Sequence, residues 1–222
     1  MTAFGLDNLP YGVFSPAGGA PRVGVRLGDD VVDLAVLLDD PVFAEPSLNA
    51  FMAQGRDRWT RVREQITELL ADGAPQDARH PLRAVRLHMP FEVADYVDFY
   101  ASEHHASNLG RLFRPDAAPL MPNWKHLPVG YHGRAGTVVV SGTDIVRPCG
   151  QRKAPDEEAP TYGPSRRLDI EAELGFVVGV GSALGERVGV DEFADHVFGA
   201  VLVNDWSARD VQAWEYVPLG PH

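Results

Sequence analysis

The sequence Leu168-Asp-Ile-Glu171-Ala-Glu173-Leu-Gly-Phe176 contains two glutamates two positions apart. Alternate side chains of a β-strand project from one face, so Glu171 and Glu173 would lie side by side if this segment is a strand. The run continues through Val177 and Val178, which indicates apolar surroundings. Two carboxylates held together away from water lose charge unless a cation compensates them. A Glu-x-Glu pair alone more often faces solvent, so further acids are needed to predict a metal site.

Two such acids stand beside β-prone segments. Asp98 follows an apolar-alternating stretch and precedes Phe99-Tyr100, and Asp205 ends a predicted strand over residues 200–204. Acids at strand ends can converge in a folded protein. Four carboxylates without a cysteine or histidine cluster would form an all-oxygen site, which suits Mg²⁺ or Ca²⁺ better than zinc.

A short helix is predicted just after Asp205. The sequence Ser207-Ala-Arg-Asp210 has the form of a capping box, which favours Ser207 over Asp205 as the N-cap. Asp205 is then not needed as the helix cap and stays a candidate cation ligand. Three polar side chains at i, i+3 and i+7 would share one face of this helix, namely Arg209, Gln212 and Tyr216. Spacing alone favours a surface helix, but the position after a candidate ligand favours donors to substrate oxygens.

Spacing does not choose a general base among the 8 histidines. His104 and His105 follow Asp98 closely, in a stretch that could form the first turns of a helix. Adjacent helical residues diverge by about a third of a turn, so at most one of the pair can face a metal squarely. A lone histidine is more often a surface or core residue, which is the expectation for the others.

The rest of the chain predicts a mostly β protein with some α-helix. Residues 23–34 form two β-prone runs around Gly28-Asp29-Asp30, typical of a hairpin. Apolar residues from Trp59 to Leu70 recur at helical spacing, and Gly73 follows as a stop. We place a small N-terminal domain at residues 1–88 and a second domain at residues 89–222. Short strands are predicted there at residues 137–141, 174–178 and 200–204.

Composition excludes several classes of partner. The chain has 222 residues, 45% of them hydrophobic, and a formal net charge of -11. Such an acidic chain is a poor ligand for nucleic acid, which is bound through lysine and arginine. No segment is apolar for long enough to cross a bilayer, and Cys149 alone cannot form an internal disulfide. We therefore expect a cytoplasmic globular protein that binds neither nucleic acid nor a membrane.

A series of motifs stands in a fixed order along the chain: Asp98-Phe-Tyr100, His105-Ala-Ser-Asn108, Met121-Pro-Asn-Trp124, Leu127-Pro-Val-Gly-Tyr131-His-Gly-Arg134, Asn204-Asp-Trp-Ser-Ala-Arg209-Asp and Trp214-Glu-Tyr-Val-Pro-Leu-Gly-Pro221. Together they resemble the fumarylacetoacetase family. The segment Asn8-Leu-Pro-Tyr-Gly-Val-Phe14 with the following hairpin resembles the small N-terminal barrel of that family. The resemblance implies an SH3-like β-barrel followed by a mixed β-roll catalytic domain, which would be incomplete in this chain.

The resemblance also implies a reaction: hydrolysis of fumarylacetoacetate to fumarate and acetoacetate, the last step of tyrosine and phenylalanine catabolism. A divalent cation, Mg²⁺ or Ca²⁺, would stabilise the departing enolate. By family position, His105 would activate water and Arg209 would support the attacked carbonyl. The cation ligands would be Asp98, Glu171, Glu173 and Asp205. The substrate contacts would be Tyr100, Arg114, Tyr131, Gln212 and Tyr216, with Arg114 able to pair with a terminal carboxylate.

In that family the chain continues past this point, with a lysine soon after the Pro-Leu-Gly-Pro motif and, much later, a glutamate that orients the catalytic histidine. We therefore expect the 222-residue chain to be weakly active or inactive alone, and a full-length protein to be a homodimer. An acylpyruvate hydrolase or a decarboxylase that uses the same metal is an alternative within the superfamily. A non-catalytic metal-binding fragment is the alternative from another class.

Overall fold

A computed structural model describes residues 4–113 and 115–216. The chain divides into two compact units, Met1–Glu92 with Val140–His222, and Val93–Val139. Both helices and antiparallel strands contribute, so the content is mixed α/β. In the part of the chain described, none of the helices combines the length and hydropathy needed to cross a bilayer.

The first unit begins with a five-stranded antiparallel sheet. Its strands are β1 (Tyr11–Pro16), β2 (Arg22–Leu27), β3 (Asp30–Asp33), β4 (Arg79–Pro81) and β5 (Val85–His88), in the order β4-β3-β2-β1-β5. The hairpin expected over residues 23–34 is confirmed as β2–β3, and Gly28 takes φ +60° at its turn. Only the short 3-10 turn Leu82–Ala84 separates β4 from β5, the two edge strands. The sheet is therefore curled, with its edges close together.

Three α-helices lie between β3 and β4 in the chain: α1 (Leu34–Leu38), α2 (Asn49–Met52) and α3 (Arg56–Leu69). The amphipathic helix expected from Trp59 onward is α3, which buries Trp59, Val62 and Ile66. These side chains pack against sheet residues such as Val23 and Val32 in one hydrophobic core. Leu69 lies outside the buried stripe and is half exposed.

Asp33 joins the sheet to α1. Its carboxylate is fully buried, accepts hydrogen bonds from the backbone N–H groups of Ala35 (3.0 Å) and Val36 (3.4 Å), and is ion-paired with Arg22. A buried carboxylate is tolerated only when it is paired and hydrogen-bonded. Asp33 meets this condition as the N-cap of α1.

The second unit contains β6 (Val97–Phe99), α4 (Glu103–Phe113) and β7 (Gly130–His132), with β6 and β7 paired antiparallel. The prediction of a strand over residues 137–141 is wrong. The 3-10 turn Ala135–Thr137 occupies its start, closed by the N–H of Thr137 donating to the carbonyl of Arg134. Residues 138–140 of the described chain have no strand partner, and β-prone side chains without a partner do not make a strand.

The remainder of the first unit contains two antiparallel ribbons. The first pairs β8 (Cys149–Arg152) with β9 (Thr161–Pro164), and the second pairs β10 (Leu168–Val178) with β11 (Val197–Ala208). Two helices accompany them, α5 (Phe193–His196) and α6 (Arg209–Glu215). The strands predicted at residues 174–178 and 200–204 are confirmed, and each belongs to a longer strand. The proposed domain boundary after residue 88 stays a prediction.

One end of the β10–β11 ribbon is fixed on the N-terminal core. The ring of Phe198, near the start of β11, lies 5.3 Å from that of Trp59, 5.6 Å from that of Tyr11 and 5.7 Å from that of Phe51. Val177 packs against the same core. Aromatic pairs in such tilted and edge-on geometries stabilise a contact beyond the area they bury.

Gly179 lies where the ribbon meets this aromatic cluster. A Cβ atom at Gly179 would stand 2.6 Å from Cζ2 of Trp59 and 3.1 Å from Cβ of Phe198. The indole of Trp59 has little room to move, because it is buried and its Nε1–H donates to the carbonyl of Met52 at 3.0 Å.

We predict that Gly179→Ala lowers the free energy of unfolding by about 1–3 kcal/mol, because overpacking a filled site forces the rings apart. Urea unfolding followed by tryptophan fluorescence measures this. The control is Gly181→Ala, whose Cβ would meet no described atom within 4 Å. That change should leave stability unaltered or slightly raise it. Equal effects of the two substitutions would contradict the packing described.

Candidate metal centre

The register of the β10–β11 ribbon places three acids on one face. Glu171 of β10 pairs with Asp205 of β11, so their side chains lie directly opposite each other. Glu173 is two residues further along β10 and projects from the same face. Glu173 and Asp205 each offer a carboxylate oxygen, and these oxygens lie within 4.8 Å of one another. Two oxygens bound to one Ca²⁺ at roughly 2.3–2.6 Å lie at most about 5 Å apart, so this spacing suits one shared cation.

The water-poor setting expected from the sequence is only partly present. Glu171, Glu173 and Asp205 are of intermediate burial. Leu174 and Phe176 alternate with the acids along β10 and belong to the opposite face, where they are 58% and 56% exposed. The strand period therefore separates the apolar residues from the carboxylates that they neighbour in sequence.

Helix α6 begins at Arg209, so the prediction of a capping box at Ser207 is wrong. β11 continues to Ala208, so Ser207 is a strand residue, and the N-cap Ala208 offers α6 no side-chain hydrogen bond. The carboxylate of Asp210 instead accepts hydrogen bonds from Oγ of Ser165 (2.6 Å) and from the backbone N–H of Arg166 (2.7 Å). Asp210 is therefore hydrogen-bonded to residues distant in the sequence and not to the predicted cap residue.

The guanidinium of Arg209 lies beside the acids of β10. Its Nε donates to Oδ2 of Asp169 at 3.0 Å, its Nη1 donates to Oε1 of Gln212 at 3.0 Å, and its Nη2 donates to Oε1 of Glu171. Burial opposes the charge of Arg209, but the bonds to Glu171 and Asp169 outweigh burial and raise its pKa. The backbone N–H of Ile170, and then Arg209, lower the pKa of Asp169.

Asp169 is a site residue that the sequence reasoning missed. The signal was present, because Asp169, Glu171 and Glu173 alternate along one strand and share its face. Glu171, expected as a cation ligand, contacts Arg209 here, and Gln212, expected as a substrate donor, accepts a hydrogen bond from Arg209. Tyr216 is the C-cap residue of α6 and is half exposed.

The second unit brings together two pairs of expected site residues. Asp98 of β6 pairs with Tyr131 of β7, which places both side chains on one face. The rings of Tyr100 and His105 lie 6.3 Å apart in an edge-on arrangement. The hydroxyl of Tyr100 donates to the carbonyl of Ala106 at 3.1 Å, which fixes the ring against the first turns of α4.

His104 and His105 diverge as their adjacency on α4 requires. His105 lies beside Tyr100, whereas His104 lines an open cleft with Glu103, Ser107, Asn108 and Arg111. At most one of the two histidines can therefore act beside Tyr100. Arg114, expected to bind substrate, lies outside the described residues.

Ser165 and Asp210 join the turn before β10 to the start of α6. Ser165 is only 3% exposed, and its Oγ accepts from the N–H of Arg167 at 3.3 Å while donating to Asp210. The N–H of Arg209 donates to the carbonyl of Arg167 at 2.9 Å. These bonds set the position of Arg209 relative to β10. Sequence patterns missed them because Ser165 and Asp210 are 45 residues apart.

Comparisons with known proteins agree on one family. The chain matches the profile described as Fumarylacetoacetase N-terminal over residues 7–90, and that described as Fumarylacetoacetate (FAA) hydrolase C-terminal over residues 95–222. It is 49% identical to the fumarylacetoacetase of Caenorhabditis elegans, 47% to that of Homo sapiens and 44% to that of Arabidopsis thaliana. Each alignment covers 98% of this chain and 57% of the relative, so the chain spans little more than half the length of these proteins.

The contacts of Asp210 predict a pH-dependent stability. Partial burial raises its pKa, but the hydrogen bonds from Ser165 and from backbone N–H groups outweigh burial and hold it below the ordinary 3.8. A carboxyl group with a lowered folded-state pKa stabilises the protein above its unfolded pKa, and this contribution is lost as pH falls through the folded pKa.

We therefore predict that Asp210→Asn lowers the unfolding temperature near neutral pH, and that the difference from wild type shrinks below about pH 4. Thermal unfolding followed by circular dichroism across pH measures both. Asp156→Asn, at an exposed turn residue between β8 and β9, is the control and should change little. A difference that stays constant into acid would show that Asp210 does not act through its charge.

Proposed function

The chain belongs to the fumarylacetoacetase family, and we propose that it forms the cation-binding part of an enzyme that hydrolyses fumarylacetoacetate to fumarate and acetoacetate. This reaction is the last step of tyrosine degradation. The observation that carries the proposal is the close approach of the Glu173 and Asp205 carboxylates on one face of the β10–β11 ribbon. Like charges held this close favour binding of a cation between them.

The proposed cation is Mg²⁺ or Ca²⁺, bound by Asp98, Glu171, Glu173 and Asp205. An all-carboxylate set fits these hard cations, and three of the four acids share one ribbon face. When bound, the cation would polarise the two ketone oxygens of the substrate and stabilise the negative charge of the departing enolate.

The proposed general base is His105. Histidine is the usual general base in enzymes, and the imidazole of His105 would take a proton from the water molecule that attacks the carbonyl carbon. The edge-on contact with the Tyr100 ring supports this role, because it gives the imidazole a defined neighbour at the start of α4. The proposed role of Arg209 is to donate hydrogen bonds near the attacked carbonyl, which suits a guanidinium that its neighbours already orient.

The proposed substrate contacts are Tyr100, Arg114, Tyr131, Gln212 and Tyr216. Gln212 accepts from Arg209 through Oε1, so the group that it would offer the substrate is its amide NH₂. Tyr100 donates its hydroxyl proton to Ala106, so the phenol oxygen would serve the substrate as an acceptor. Arg114 would pair with a terminal carboxylate and fix the direction of the substrate.

We further propose that residues 1–88 form an SH3-like barrel and that residues 89–222 form part of a β-roll. The short connection Leu82–Ala84 between the two edge strands of the curled sheet supports the barrel. The long antiparallel β10–β11 ribbon supports the β-roll. Assembly as a homodimer remains part of the same proposal.

Cation binding tests the centre directly. We predict that Glu173→Gln and Asp205→Asn each weaken the binding of Mg²⁺ or Ca²⁺ by about tenfold or more, because each removes a charged ligand. Isothermal titration calorimetry with the metal chloride alone measures the affinity. Glu64→Gln, on the exposed side of α3, makes the same charge change as a control. Equal affinities for the control and the site variants would contradict the proposed centre.

Substrate binding tests the reaction class. We predict that a stable 1,3-diketone acid such as succinylacetone binds the chain only when Mg²⁺ or Ca²⁺ is present, because the cation would hold both ketone oxygens. Titration with and without EDTA measures this dependence.

Turnover assays should show any hydrolysis to be faster with fumarylacetoacetate than with acylpyruvates, and to vanish in His105→Ala. A preference for acylpyruvates would favour the other branch of the superfamily, and cation binding without diketone binding would favour a non-catalytic module.

A further inference from the structure

Arg209 is held on one side by Asp169, a carboxylate that has no part in the proposed mechanism. All three guanidinium nitrogens have an acceptor: Nε donates to Asp169, Nη1 to Gln212 and Nη2 to Glu171. The planar group therefore bridges two carboxylates of β10. Each carboxylate accepts a hydrogen bond from a different nitrogen of the group.

Because the guanidinium binds two acids, fewer of its N–H groups are directed at Glu171. A guanidinium that meets a single carboxylate commonly binds both of its oxygens, in a bidentate fork. Such a fork would take both oxygens of Glu171, one of which the proposed cation requires. Because Nε is engaged by Asp169, Arg209 reaches Glu171 through Nη2 and Oε1.

We propose that Asp169 is a positioning residue that acts through Arg209: it keeps the guanidinium in the bridging position and restricts it to one oxygen of Glu171. The effect on cation binding rests on the proposed function, whereas the positioning of Arg209 does not. Without Asp169, Arg209 turns onto Glu171 and competes with the cation for that carboxylate.

Asp169 is suited to orienting its partner rather than to stabilising the fold. Its side chain is 54% exposed, whereas those of Arg209 and Glu171 are 20% and 23% exposed. Exposed ion pairs contribute little to stability. Replacing Asp169 by asparagine should therefore leave the urea midpoint close to that of wild type, so that changes at Arg209 and in cation affinity are not due to unfolding.

The first test is a double-mutant cycle for Mg²⁺ affinity, with MgCl₂ as the only ligand, on the wild-type chain, Asp169→Asn, Arg209→Gln and the double variant. If Asp169 acts through Arg209, Asp169→Asn weakens Mg²⁺ binding by about 3- to 10-fold in the wild-type background and by less than about 2-fold in the Arg209→Gln background. Loss of one negative charge from the surroundings would act equally in both backgrounds. Equal fold-changes, or none, overturn the proposal.

The second test requires no cation. Nuclear magnetic resonance of the chain labelled with ¹⁵N-arginine measures hydrogen exchange at Nε of Arg209, which donates to Asp169. Asp169→Asn should accelerate this exchange several-fold, whereas Asp144→Asn, at an exposed loop residue, should not. Unchanged exchange in Asp169→Asn overturns the positioning role. A wild-type chain that binds no Mg²⁺ refutes the proposed centre, and exchange at Arg209 then decides the positioning role by itself.

Discussion

The antiparallel pairing of β10 with β11 is the constraint on which the rest of the site depends. This register puts Glu171 opposite Asp205 and brings oxygens of Glu173 and Asp205 within 4.8 Å of each other. Two like charges at that separation repel by about 3 kcal/mol at an effective dielectric constant near 20. Repulsion of this size favours the binding of a cation between the two carboxylates.

Arg209 balances the charge of two other acids on the same face of the ribbon. Arg209 is ion-paired with Asp169 and Glu171, and its own position is set by the Ser165–Asp210 contact at the start of α6. A divalent cation bound by Glu173 and Asp205, as proposed, would reduce the repulsion between these two carboxylates. The far end of the ribbon is fixed by Phe198 against the N-terminal aromatic cluster.

Sequence patterns predicted those parts of the molecule that local periodicity governs. The β2–β3 hairpin, helix α3 and the segments within β10 and β11 follow from apolar spacing and turn residues. The strand expected at residues 137–141 failed because β-propensity needs a partner strand. The cap expected at Ser207 failed because Ser165 and Arg166 bind Asp210 from a distant turn. The place of Asp169 beside Glu171 follows from the strand period, but its bond to Arg209, 40 residues away in the sequence, does not.

The central claim is that Glu173 and Asp205 bind the same divalent cation. Anomalous scattering from crystals grown with Mn²⁺ tests it most directly, because Mn²⁺ prefers the same oxygen ligands as Mg²⁺ and gives a strong anomalous signal. We expect one peak within coordination distance of both carboxylates, at roughly 2.0–2.6 Å from an oxygen of each. A map with no peak at this position, or with the carboxylates turned away into solvent, would contradict the account.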